Sequence, residues 1–129
     1  MTGNANRRRQ IWIPVLLAVI TVGLFWPVRH HAFVNFDDHE YLYDNLQVRD
    51  GLSLDGLAWA LTTGHASNWH PLTWLSHMLD CQLFGLRPGA HHLVNVAFHA
   101  LNTVLLFIWL SQMTGAVLRS ALVAALFAW

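Results

Sequence analysis

The chain contains no lysine; all seven of its basic residues are arginine. Charge of either sign is scarce, at 11% of residues, whereas soluble domains carry about 25%. A surface this poor in charge argues against an ordinary soluble protein. There is one cysteine, Cys81, which excludes an intrachain disulfide. The formal net charge is zero, so nothing points to nucleic acid as a partner or to a polybasic lipid-binding segment. Tight ligand signatures such as HExxH are absent, and so are internal repeats.

What fills the chain is apolar: 55% of residues are hydrophobic, and mean hydropathy is +0.39. The ionisable chemistry is confined. All seven acids (Asp37, Asp38, Glu40, Asp44, Asp50, Asp55, Asp80) lie between residues 37 and 80, and all nine histidines lie between residues 30 and 99. One segment of about sixty residues therefore separates apolar ones.

After a short basic N-terminus (1–10), residues 11–28 form an uncharged stretch of 18 residues, just long enough to cross a bilayer. Trp12 and Trp26 lie near its ends, where aromatic rings favour headgroups, and Pro14 is expected in its first turn. A cleaved signal peptide is the competing reading. The long apolar core and the lack of a small-x-small site before Phe33 weigh against it. Residues 91–110 form a second span, 111–115 a polar turn, and 116–129 the start of a third apolar helix. Its 14 residues fall short of the about 17 to 25 needed to cross, so a fragment of a larger protein is expected. Arg7, Arg8, Arg9 and Arg119 place the N-terminus in the cytoplasm by the positive-inside rule, and residues 29–90 outside.

Within that outer loop, SLDGLAWALTT reads as an amphipathic helix with Ser53 as N-cap. HPLTWLSHMLDCQLFG reads as a helix with Pro71 in its first turn, Gly85 past its end, and Leu72, Leu75, Met78, Leu79 and Leu83 as its apolar side. Both could lie along the membrane interface. FVNFDDHEYLYDN is expected to be irregular or a single helical turn.

Three sets of residues could carry chemistry. Asp37 and Asp38 could supply a general base and a cation-holding or orienting neighbour, or form a solvated acidic turn. His70, His77 and Asp80 share a helix face, and with His39 and Glu40 they suit a divalent cation such as zinc or manganese. Interfacial histidines hydrogen-bonded to neighbours are the plainer reading. His92, Asn95, His99 and Asn102 recur at helical spacing within the second span. Such a stripe faces protein or a watery cavity, or holds helices together, and it calls for further helices or another subunit.

FVNFDDHEYLYDN, GLSLDGLAWALTT and NWHPLTWLSHMLDCQLFGLRPGAHHLVNVAFHALNTVLLF together resemble the N-terminal part of bacterial membrane proteins with C-terminal tetratricopeptide repeats. These are relatives of TMTC-type protein O-mannosyltransferases in the GT-C glycosyltransferase superfamily. The resemblance runs from about Phe33 to Trp129. It implies an all-α polytopic bundle in a bacterial inner membrane, with the loop periplasmic. It implies transfer of a sugar from a polyprenyl-phosphate donor to a hydroxyl acceptor on protein, with inversion. Asp37 would be the base, and Asp38 would orient groups or help bind a cation. His39, Glu40, His70, His77, Asp80, His91 and His92 would serve the donor phosphate or organise the loop. A divalent cation is the one cofactor left open. The family's further spans and repeats are not in this sequence, so the 129 residues alone are expected to be inactive. Two other functions compete. One is a non-enzymatic membrane protein assembling through the His92–Asn102 face. The other is a His-rich metal-binding or haem-binding membrane protein.

Overall fold

The structure is a computed structural model that describes the backbone of residues 2–129 and side chains from Arg8 onward; the side chain of Arg7, part of the basic cluster, lies outside the described residues. All regular structure among these residues is helical. The chain divides into two compact units, residues 28–94 and residues 1–27 with 95–129.

In the second unit, α1 (Thr2–Phe25) begins well before the apolar stretch. Arginine is a good helix former, so polarity alone does not start or stop a helix. Pro14 is consequently interior rather than in the first turn, and its side chain is buried. The helix changes to 3₁₀ geometry over Trp26–His30, where Pro27 has no N–H to give to the carbonyl four residues back. The helix α5 (Pro88–Thr114) is longer than the apolar span at both ends. Pro88 starts it. The segment Ser111–Thr114, expected as a turn, stays helical, and the Ser111 and Thr114 hydroxyls fold back on it, donating to the Ile108 and Leu110 carbonyls at 2.9 and 2.7 Å. The reversal shrinks to Gly115 (φ +66°) and Ala116, ahead of α6 (Val117–Ala128). Leu17, Phe107, Val117 and Ala124 form the core of this unit, with Ile13, Ala121 and Ala125 against it. The opposite faces expose Trp12, Leu16 and Val19 on α1, Phe98, Leu105 and Trp109 on α5, and Leu118, Leu122 and Leu126 on α6. Segments 8–30 and 88–114 are helices long and apolar enough to cross a membrane.

The unit of residues 28–94 is folded around Trp74. It contains a π-helical turn (His39–Tyr43), α2 (Leu46–Arg49), α3 (Leu54–Thr62), α4 (Pro71–Phe84) and the first turns of α5. Ser53 caps α3 as its sequence implies, accepting from the Gly56 N–H at 2.9 Å, and Asn45 caps α2 in the same way. Pro71 opens α4 and Gly85 (φ +62°) closes it. Leu42, Val48, Ala60, Trp74, Met78 and Cys81 make the core. The inward side of α4 is therefore Trp74–Met78–Cys81, and Leu72, Leu79 and Leu83 are exposed. The helix has two apolar faces, and the indole, with the larger area to bury, takes the inner one.

Candidate functional site

Helix α4 presents His77 and Asp80 one turn apart, and α5 brings His91 to them across the Gly85–Pro88 link. One ligand-capable atom from each of the three lies within 4.8 Å of the others. His91 and Asp80 are buried, and His77 is half-buried.

The His91 ring is fixed. Its Nε2 donates to the Gly85 carbonyl at 2.8 Å. A carbonyl can only accept, so in the neutral ring the other nitrogen carries a bare lone pair. That atom, Nδ1, is buried without a hydrogen-bond partner and lies 3.9 Å from Asp80 Oδ2, beyond hydrogen-bonding distance. His77 Nδ1 is also buried and unpartnered. Burial, then the neighbouring His91 and His70, lower the pKa of His77, against an opposing pull from the Asp38 charge. Burial raises that of Asp80, against the opposing influence of His91. Burial likewise raises that of Cys81, with Asp80 adding to the effect. Two imidazole rings and a carboxylate thus converge, with the bare Nδ1 of His91 facing Asp80. Such a set can hold a proton or a divalent cation.

The acidic pair divides. Asp38 Oδ2 accepts the Val34 N–H at 2.7 Å, and its charge reaches His77. Asp37 is exposed. The π-helical turn that follows is closed by the Asp44 N–H on the His39 carbonyl at 2.8 Å. His39 is exposed, tilted against Tyr43, with Nδ1 3.8 Å from Asp44. Glu40 is exposed, and its main-chain carbonyl accepts from His65 Nε2 at 3.1 Å.

His70 shares a face with His77 in sequence, but it sits ahead of the first turn of α4 and its ring packs on Trp74 and Tyr41, with centroids at 4.7 and 5.5 Å. His92 lies beside the Ala32 carbonyl at 3.5 Å. The polar stripe along α5 is not uniform. His99 donates to the Ala128 carbonyl at 3.1 Å and packs edge-on to Phe25, while Asn95 and Asn102 are exposed. The buried seam of α5 runs instead through Val96, Ala100, Thr103, Phe107 and Ser111.

Two contributors were not evident in the sequence. Phe33 stands edge-on to both His91 and His92, with centroids at 5.4 and 5.8 Å. Gly85 orients His91 through its carbonyl. The aromatic ahead of the Asp pair was the only hint of the first. A main-chain acceptor leaves no mark on residue type.

No protein-family model, curated protein or solved structure matches the chain.

Proposed function

We propose that this chain belongs to a GT-C-type membrane glycosyltransferase that moves a sugar from a polyprenyl-phosphate donor to a hydroxyl of a protein acceptor. In this reading α1 and α5 cross the bilayer of a bacterial inner membrane, and residues 29–90 serve as the periplasmic face of the enzyme. The observation that carries the reading is the division of labour in the acidic pair. One carboxylate is anchored by a main-chain N–H and acts electrostatically on a histidine; its neighbour is exposed and available.

Asp37 is then the general base. It takes the proton of the acceptor hydroxyl as the oxygen attacks the anomeric carbon. The bond from that carbon to the phosphate oxygen breaks, and polyprenyl phosphate leaves with the electron pair, inverting the sugar carbon. Asp38 positions this segment. Further helices complete the donor groove, as the family resemblance implies. One feature supports the membrane setting: the outward faces of α1, α5 and α6 are apolar.

The test is Asp37→Asn in the full-length protein. Sugar transfer is expected to fall by roughly two orders of magnitude or more, with membrane insertion unchanged. Wild-type turnover by this variant would remove Asp37 from the mechanism. A second reading, assembly with another subunit through α5, is favoured by exposed Asn95 and Asn102 on a helix apolar enough to span.

A further inference from the structure

We infer that His77, Asp80 and His91 form a binding site for a divalent transition-metal ion of the zinc class. The inference does not rest on glycosyl transfer; it concerns three side chains and their geometry.

The argument starts with unmet valence. A buried polar atom without a partner costs about 1 to 3 kcal/mol, and here the Nδ1 atoms of His77 and His91 are in that state, the latter 3.9 Å from the buried Asp80 carboxylate. The His91 Nδ1 lone pair faces the Asp80 carboxylate, and these two electron-rich groups repel unless something positive lies between them. The Gly85 carbonyl holds the His91 ring with Nδ1 presented to Asp80. A main-chain acceptor on the far nitrogen is how metal-ligating histidines are commonly fixed in tautomer and orientation.

The donor set is also suitable in kind and reach. Two nitrogens and one carboxylate oxygen are ligands that zinc takes, at about 2.0 to 2.2 Å each, which separates ligand atoms on a tetrahedral ion by roughly 3.3 Å. The His91–Asp80 separation of 3.9 Å is close to that. The widest separation, within 4.8 Å, requires a contraction of somewhat over an ångström, which rotation of the half-buried His77 side chain can supply. Two ligands come from successive turns of one helix and the third from the next, so the ion would clamp α4 to the start of α5. Three protein ligands leave a fourth position for water or another oxygen.

The experiment is a Co²⁺ titration of the full chain, purified in detergent and stripped with a chelator. It is read by optical spectroscopy and by thermal unfolding with and without metal. The expected result is stoichiometric Co²⁺ binding with the absorption of a tetrahedral site, displacement by Zn²⁺, and a metal-dependent rise in Tm. His91→Gln and Asp80→Asn should each weaken binding by at least roughly tenfold, whereas His31→Gln, at an exposed histidine of the same unit, should leave it unchanged. His77→Cys retains a ligand and should add a thiolate-to-cobalt charge-transfer band, so it reports on the site even where the other variants fail to fold. Absence of stoichiometric binding, binding that survives His91→Gln and Asp80→Asn, or a His77→Cys protein without the new band would each overturn the inference. If the three groups share only a proton, both Asp80→Asn and His91→Gln lose stability in metal-free buffer and no cobalt spectrum develops, which also overturns it.

Discussion

At the scale of single residues, the tightest constraint in the unit of residues 28–94 falls on Gly89. A Cβ at that position would collide with the Arg29 main-chain carbonyl, and main-chain atoms cannot swing aside as a flexible side chain can. Gly89→Ala should therefore destabilise the protein by about 1 to 3 kcal/mol, read as a fall in Tm of several degrees. Gly23→Ala is the control. Nothing lies within 4 Å of its added methyl, and alanine gains up to about 1 kcal/mol over glycine within a helix, so that Tm should hold or rise. None of this is visible in sequence, where both are single glycines in or beside apolar runs. The same limit applies to the His/Asp cluster. The spacing of His77 and Asp80 was readable, because three residues is one helical turn. His91 was named only through the family resemblance, and its meeting with these two was not readable, because its place depends on the φ of Gly85 and on a carbonyl that every residue possesses.

Elements were easier to read than contacts. Caps and breakers act locally, so Ser53, Pro71 and Gly85 marked the ends of α3 and α4 correctly from sequence. Of the apolar side read on α4, Met78 and Leu75 meet the core, while Leu72, Leu79 and Leu83 stay exposed because the indole of Trp74 takes the inner face. The turn at 111–115 was misread because Ser and Thr resemble loop residues, yet their hydroxyls can bond back to the preceding turn and continue the helix. On α5 the polar stripe separates by role: His99 is satisfied, and Asn95 and Asn102, seven residues apart, are exposed. Polar amides on a lipid-facing helix seek a partner helix. The double variant Asn95→Leu/Asn102→Leu should therefore shift the detergent-solubilised protein toward the monomer in sedimentation, if α5 is where another subunit docks. An unchanged distribution would assign assembly to another surface.

For the whole molecule, the sequence conveyed an all-helical chain with two helices long and apolar enough to span a membrane and a chemically dense segment between them, because hydropathy and charge clustering are properties of composition along the chain. The proposed topology has a direct test. Cys81 is 7% exposed, which makes it a silent background thiol. Asp55→Cys, at an exposed position in the outer segment, should react with a membrane-impermeant maleimide in intact cells. Gln10→Cys, near the start of the first span, should react only after the membrane is opened. The reverse pattern would invert the topology, and labelling of both in sealed cells would place the chain outside the bilayer.

The link from Gly85 to Pro88 has a consequence for how this chain could be redesigned or could diverge. It works as a ruler. Each residue inserted between Pro88 and His91 would turn the imidazole by about 100° around α5 while α4 stayed in place, so one added residue would point it away from Asp80. The exposed side chain of Arg87 can vary in chemistry, whereas the length of the link cannot vary without separating the three groups it brings together.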